Sequence, residues 1–201
     1  MIATKQYDRG RAVEYAKKWA LSRNDLFYDF TGGGGNCTNF ASQCVLAGSL
    51  VMNPTEIFGW YYVSIDNRAP AWTGVEEFYN FMCGLGDFAP KSERVGPFCT
   101  EVERERAEVG DVVQLANPMG EFYHTLVVSG FSEDGDILVC AQSNDALDRP
   151  LSTYNYAVAR FLHVEGVNVE LYDRPEEYLA LLNALTLPPK NQTYIAVPRG
   201  G

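Results

Sequence analysis

Residues 111–142 read DVVQLANPMGEFYHTLVVSGFSEDGDILVCAQ, and three short segments of this stretch are rich in Val, Leu and aromatic residues. Asn117-Pro118-Met119-Gly120 and Glu133-Asp134-Gly135 separate these segments with residues that are typical of turns. A fourth such segment lies further along the chain. The pattern predicts consecutive antiparallel β-strands in the second half of the chain: 111–116, 123–131, 136–142 and 157–164.

The first half of the chain has helical patterns instead. Apolar residues recur every three or four positions over residues 8–21, with Asp8 as the N-cap. A second helix is predicted over residues 37–47, closed by Gly48, and a third begins in a capping-box sequence at Thr73. Helices followed by consecutive strands predict an α+β fold, with N-terminal helices packed on a C-terminal antiparallel sheet.

The chain has 201 residues, with 16 Lys and Arg against 26 Asp and Glu and a formal net charge of −10. This length suits one domain, which we predict over residues 1–166. Residues 167–201 then form a C-terminal extension of a helix and a tail, packed on the same domain. The acidic balance argues against a nucleic-acid partner, because phosphate backbones are bound by clustered Lys and Arg.

No apolar stretch is long enough to span a membrane, and the first eight residues lack the apolar core of a signal peptide. The protein is therefore either cytoplasmic or a trimmed piece of an exported protein. Its five cysteines include no CxxC pair, and it has only two histidines. This argues against a zinc site or a disulfide framework, so we predict no metal or cofactor.

Cys37 is the candidate reactive thiol. It follows a run of glycines, Gly32–Gly35, and begins the second predicted helix. Free backbone N–H groups and the positive end of the helix dipole would stabilise a thiolate there. Phe40, Ala41 and Cys44 follow at helical spacing, so Cys37 shares the buried face of its helix. An inert core cysteine would give the same pattern, and a nucleophile needs a base as well.

His124 is the candidate base. It begins an alternating strand segment at a sheet end, on the face that Leu126 and Val128 also occupy. His163 lies in a strand interior without polar neighbours of interest in the sequence, so we assign it a structural role. The sequence therefore predicts that Cys37 and His124 act together.

A hairpin suggests the third member of the site. If Gly135 is left-handed and closes a three-residue loop, Asn144 lies opposite His124, and Gln142 also lies on that face. A slip of one residue would bring Ser143 or Asp145 there instead. Either amide could hold the imidazole, as in a Cys-His-Asn triad. Asn144 as a simple turn residue is the alternative.

Four other residues are candidates for substrate binding. Asn36 and Asn39 flank Cys37 and could donate to a developing oxyanion. Trp60 and Trp72 could wall a groove for a peptide or a sugar chain. The alternative for both tryptophans is packing in the core, where large aromatic side chains are commonly buried.

Five stretches follow one another in an order that carries a resemblance: 36–44, 59–62, 110–115, 123–128 and 149–152. They resemble the bacterial family known as "Putative amidase domain", over about residues 7–164. That family is similar to papain-like cell-wall peptidases and amidases. The resemblance implies a papain-like fold, a nucleophile at Cys37 and a base at His124. Members usually carry Asp where Asn36 stands, and often a His near Gln142 or Ser143.

These observations lead to two hypotheses. The first is a cysteine amidohydrolase or peptidase that cleaves an amide bond in a peptide or a peptidoglycan-like substrate, through Cys37, His124 and Asn144 or Gln142. The second is a catalytically degenerate papain-like module that binds cell-wall peptides without cleaving them. Selective alkylation of Cys37 near neutral pH distinguishes the enzyme from the binding module.

Overall fold

The computed structural model describes residues 2–170, so the predicted C-terminal helix beginning at Arg174 lies outside the described residues. The described helices are α1 (Arg9–Trp19), α2 (Cys37–Ser49), α3 (Pro70–Thr73) and α4 (Val75–Cys83). The strands are β1 (Ile2–Lys5), β2 (Tyr62–Ser64), β3 (Asn67–Arg68), β4 (Gly96–Val102), β5 (Val112–Ala116), β6 (Phe122–Phe131), β7 (Ile137–Ala141), β8 (Ala146–Pro150) and β9 (Val158–Glu170).

One large antiparallel sheet forms the centre of the molecule. Its strands follow the order β1-β9-β5-β6-β7-β8, and β4 also pairs with β9, while β2 and β3 form a separate small hairpin. The expected combination of helices with a large antiparallel sheet is confirmed, and the four predicted strands correspond to β5, β6, β7 and β9. The sequence patterns missed β1, β4 and β8. The last of these reads ALDRP, which lacks an apolar alternation.

The start of α1 agrees with the prediction, because the Asp8 carboxylate accepts a hydrogen bond from the Arg11 backbone N–H at 2.9 Å. The predicted end of α2 at Gly48 is wrong. The helix continues to Ser49, and Leu50 caps it with a left-handed φ of 56°. Gly48 is required for a different reason: a Cβ atom there would lie 2.4 Å from the Tyr7 ring.

The capping box at Thr73 is also wrong. Thr73 ends the short helix α3, in which Pro70 occupies the first turn, and Gly74 is the N-cap of the next helix, α4. A proline suits a first helical turn because its missing N–H is not needed there. The helix therefore begins earlier than the capping pattern indicates and is interrupted at Gly74.

Two apolar clusters lie against β6, and they define the two faces of that strand. Helix α2 contributes Phe40, Ala41 and Cys44, which pack on Val127 from β6. Leu126 belongs to a separate cluster, together with residues from β5, β7 and β9. Because successive side chains of a strand point to opposite faces, α2 covers only one face of β6.

Candidate active site

The start of α2 is fixed by Asn36. Its side-chain oxygen accepts hydrogen bonds from the Phe30 backbone N–H at 3.1 Å and from Asn39 Nδ2 at 2.8 Å. Its Nδ2 donates to Gln142 Oε1, and its backbone N–H donates to Ser143 Oγ. The buried Asn36 therefore ties the first turn of α2 to the turn between β7 and β8, and its amide group is occupied by the protein itself.

Cys37 is the first residue of α2, as predicted. Its side chain is largely buried, with 7% of its surface exposed, and Sγ lies 3.9 Å from Thr38 Oγ1. The first backbone N–H groups of a helix have no partner within the helix, so Cys37 lies where negative charge is stabilised. The local environment suits a thiolate or a developing oxyanion.

A hydrogen bond between two buried hydroxyl groups connects this helix to the sheet. Thr38 Oγ1 and Thr125 Oγ1 are 2.9 Å apart, and Gln114 Nε2 donates to Thr125 Oγ1 at 3.2 Å. Cys37 precedes Thr38 in the chain, and His124 precedes Thr125. The two predicted catalytic residues therefore lie at the same end of the sheet.

His124 and the sulfur atom are not in contact in this conformation. Thr125 and Val127 face α2, so alternation along β6 places the His124 side chain on the opposite face, with Leu126. Among residues 2–170, no hydrogen bond joins Cys37 Sγ to the imidazole. The structure brings the two residues to one end of the sheet without pairing them.

The His124 imidazole lies in an apolar environment between two tyrosines. Its ring centroid is 6.2 Å from that of Tyr123 and 6.1 Å from that of Tyr154, and its Nε2 atom is buried without a hydrogen-bond partner in the described part of the chain. Burial, followed by the positive charge of Arg149, lowers the pKa of His124 from 6.5 to about 4. The imidazole is therefore neutral at pH 7, as a general base must be.

The predicted hairpin forms, but its register changes before it reaches His124. Gly135 has a φ of 84°, and the Ser132 backbone N–H donates to the Asp136 carbonyl at 2.9 Å, as expected for the three-residue loop. An irregularity between Val128 and Gly130 then shifts the pairing by one residue. The register that placed Asn144 opposite His124 is therefore wrong. Asn144 is exposed in the turn that follows β7.

Gln142 is buried but fully engaged elsewhere. Its Nε2 donates to the Trp19 and Ser22 carbonyl oxygens, both at 2.8 Å, and its Oε1 accepts from Asn36. Each hydrogen of the amide NH₂ group is used in these contacts. Gln142 thus joins the end of α1 to the start of α2, and in this structure it does not contact the imidazole.

The two tryptophans do not wall a groove, contrary to the prediction. Trp60 and Trp72 are fully buried with ring centroids 4.9 Å apart, so the alternative of core packing is correct. Trp72 Nε1 donates to Asn39 Oδ1 at 2.8 Å, and Trp60 Nε1 donates to Ser42 Oγ at 3.0 Å. Asn39 is consequently buried and occupied as well.

An open groove of about 490 Å³ lies beside the glycine-rich loop, where the sequence patterns predicted no binding surface. Its lining includes Gly33–Gly35, Arg68 and Glu77. Gly34 and Gly35 have left-handed φ values of 112° and 105°, which only glycine adopts without strain. The loop therefore lines the groove with backbone atoms alone, and only Asn36 separates it from Cys37.

His163 has polar neighbours that its sequence context did not reveal. Its Nδ1 lies 2.9 Å from Asp111 Oδ2, and the other oxygen of that buried carboxylate accepts from Arg9 Nη1. This cluster joins α1 to β9 and to the residue before β5. The structural role assigned to His163 remains reasonable, but the expectation that it lacks polar neighbours is wrong.

Comparison with known proteins identifies the family of this chain. The pattern of the family described as "Putative amidase domain" matches residues 6–164. The chain belongs to this family. It is also 30% identical over 145 residues to a Bacillus subtilis (strain 168) protein named "Uncharacterized protein YhbB", a match that covers 70% of this chain and 43% of that protein. The chain thus spans less than half the length of this curated relative. No solved structure matches the chain.

The amidase-domain match spans all of the site described above, from α1 to the middle of β9. Among residues 2–170 of this family member, no group of three or more His, Cys, Asp or Glu side chains could hold a metal ion. The helices in this part of the chain are also too short or too polar to cross a membrane.

Proposed function

We propose that the protein is a cysteine-dependent amidase or peptidase with a papain-like arrangement, in which Cys37 is the nucleophile and His124 is the base. The observation that carries this proposal is the hydrogen bond between Thr38 and Thr125, because it holds the helix start and the strand that bear the two groups at one end of the sheet. In this structure the His124 side chain lies on the face of β6 opposite α2, so the proposal requires the start of β6 to rearrange in the substrate complex and turn the imidazole towards Cys37.

The proposed reaction has two halves. The Cys37 sulfur attacks the amide carbonyl carbon while its proton passes to His124, which then donates that proton to the leaving amine as the C–N bond breaks. Water, deprotonated by His124, attacks the resulting thioester, releases the carboxylic acid and returns the proton to the sulfur. The backbone N–H of Cys37 stabilises the oxyanion of each tetrahedral intermediate.

The open groove supports an extended substrate such as a peptide or a peptidoglycan-like chain. Its lining includes the backbone of Gly33–Gly35, which precedes Asn36 and Cys37 in the chain. Arg68 also lines it and stacks over the Phe30 ring, with its guanidinium carbon 4.6 Å from the ring centroid. The groove carries one cation, Arg68, and one anion, Glu77, so it offers a partner to each kind of charged group on a peptide.

Alkylation of each thiol with iodoacetamide, followed by mass spectrometry as a function of pH, tests the proposal. Burial raises the pKa of the other four thiols, that of Cys83 to about 11. These four should react slowly near neutral pH and serve as internal references. We expect Cys37 to be labelled fast well below pH 8, and His124→Gln to remove this reactivity. His163→Gln is the matched control and should leave the labelling of Cys37 unchanged.

A binding module without catalysis is the second candidate, and two observations favour it. Within the described residues the sulfur and the imidazole are not hydrogen-bonded, and no histidine stands near Gln142 or Ser143, where the family resemblance implies that members often carry one. This candidate predicts that Cys37 reacts no faster than an ordinary thiol and that His124→Gln has no effect on it. Binding of cell-wall peptides without cleavage would then replace the amidase proposal.

A further inference from the structure

Two buried polar atoms on neighbouring rings lack hydrogen-bond partners within the described residues: Nε2 of His124 and the hydroxyl oxygen of Tyr154. The centroids of the two rings are 6.1 Å apart and their planes are inclined by 40°. Buried polar atoms are almost always paired in folded proteins, because each has given up its hydrogen bonds to water. Two such atoms on adjacent rings are the natural partners of one another.

The position of Tyr154 is fixed by Arg149. The guanidinium carbon of Arg149 lies 4.0 Å from the centroid of the Tyr154 ring, and the guanidinium group itself donates to the Thr153 carbonyl at 2.9 Å and to Thr153 Oγ1 at 2.8 Å. The ring is thereby held next to the imidazole.

Neither of the two amides predicted to hold the His124 imidazole is available to do so in this structure. Gln142 donates to two carbonyl oxygens and accepts from Asn36, and Asn144 is exposed in the turn after β7. We propose that Tyr154 is the positioning residue for His124, with its hydroxyl oxygen accepting a hydrogen bond from Nε2–H. The direction of this hydrogen bond and its catalytic meaning rest on the proposed function, whereas the pairing of the two atoms does not.

The contact determines which imidazole nitrogen can act as a base. A neutral imidazole carries one proton, so a hydrogen bond from Nε2–H leaves Nδ1 unprotonated. Nδ1 then accepts the thiol proton from Cys37, while Nε2 keeps its own proton and its bond to Tyr154. If Nε2 instead accepted a proton from the tyrosine, Nδ1 would be protonated and could not serve as the base.

Nitrogen NMR of the imidazole rings tests this inference directly. The chain has only two histidines, so long-range ¹H–¹⁵N correlations of the ¹⁵N-labelled full chain resolve both rings, and His124→Gln assigns them. At pH 7 we expect His124 to carry its proton on Nε2. Tyr154→Phe should convert this single tautomer into a mixture, because the hydroxyl that selects it has been removed. Phenylalanine keeps the ring packing, so the variant should fold.

Tyr156→Phe is the matched control, since Tyr156 packs against the same apolar cluster as Tyr154. We expect it to leave the tautomer of His124 unchanged, and the signals of His163 should not move in either variant. Alkylation of Cys37 should slow by roughly three- to tenfold in Tyr154→Phe, as expected for the loss of one neutral hydrogen bond. It should stay at the wild-type rate in Tyr156→Phe.

Two results would overturn the inference: protonation of His124 on Nδ1 in the wild type, or an identical tautomer population in Tyr154→Phe. Both concern the wild-type tautomer or its response, so they do not depend on catalysis. If the tautomer responds to Tyr154→Phe while Cys37 of the wild type reacts as an ordinary thiol, the positioning contact stands and the amidase proposal fails.

Discussion

The two histidines of this chain differ in how their polar atoms are satisfied. His163 on β9 bonds to the buried carboxylate of Asp111, which also binds Arg9 and accepts from the Val164 backbone N–H at 3.0 Å. His124 on β6 is more deeply buried, yet its Nε2 has no partner among residues 2–170.

A buried polar group without a partner destabilises a fold by about 1–3 kcal/mol. In the Asp111 cluster both carboxylate oxygens have hydrogen-bond partners, as expected of a structural element. In the His124 environment Nε2 has no partner among the described residues, and this site lies at the sheet end where the Cys37 helix begins. This difference fits a structural role for His163 and the catalytic role proposed for His124, and four experiments test the contrast between the two residues.

We expect the largest effect on activity when the Cys37 thiol is removed. Cys37→Ala should reduce amide hydrolysis by about 10³-fold or more, because the proposed nucleophile is lost while binding remains. Cleavage of cell-wall peptides, followed by mass spectrometry, measures this. Cys44→Ala is the matched control, since that thiol lies on the same helix in an apolar cluster and should keep its turnover. Equal activity in Cys37→Ala and the wild type would remove Cys37 from the mechanism.

Removing the carboxylate that binds His163 should have the largest effect on stability. Asp111→Ala leaves Arg9 without its buried partner, and we expect a loss of about 3–5 kcal/mol in the free energy of unfolding by urea. Glu108→Gln alters the other ion pair of Arg9, whose carboxylate is mostly exposed, and should change stability by only about 0.5 kcal/mol. Similar values for both variants would show that the cluster is not a structural element.

The pH dependence of stability tests the environment of His124. The pKa of this histidine falls from 6.5 to about 4 on folding, so the unfolded chain binds a proton in that interval and the folded protein does not. The resulting stabilisation, about 3 kcal/mol, is complete above pH 6.5 and is lost as the pH falls to about 4.

Urea unfolding of the wild type and of His124→Gln at several pH values between 7 and 4 measures this term. We expect the wild type to lose about 3 kcal/mol more than the variant over this range. Parallel curves would mean that the imidazole is solvated in the folded protein, which would remove the contrast with His163.

The smallest effect concerns the hydrogen bond between Thr38 and Thr125, which joins the helix that begins at Cys37 to the strand that carries His124. A double-mutant cycle of Thr38→Val and Thr125→Val should give a coupling energy of about 1 kcal/mol, the usual net value of one neutral hydrogen bond. Thr100→Val and Thr125→Val, which lie on different parts of the sheet, provide a control pair with no expected coupling. A coupling near zero for Thr38 and Thr125 would leave the positions of Cys37 and His124 unsupported by this bond.

Features governed by neighbouring residues could be predicted from the sequence. The N-cap of α1, the first residue of α2 and the loop closed by Gly135 all depend on local backbone and turn chemistry. Of the three sheet strands that the patterns missed, β1 and β4 pair with the distant β9, whereas β8 pairs with the adjacent β7. Their own sequences contain little of the information that places them.

The candidate site divides in the same way. A cysteine at a helix start and a histidine at a strand start are local features, and the sequence determined both. The contacts of these residues depend on distant segments. The register irregularity after Val128 means that Asn144 does not lie opposite His124, and Gln142 donates to the Trp19 carbonyl at the end of α1. Both tryptophans are buried in the core.

The fold class, the helix start at Cys37, the strand that carries His124 and the family resemblance could all be read from the sequence, because each depends on residue type and short spacing. Which polar groups are paired depends on the folded chain. A hydrogen bond made by one segment removes a donor or acceptor from every other, so the unpaired state of His124 Nε2 among residues 2–170 follows from the contacts of all the other segments.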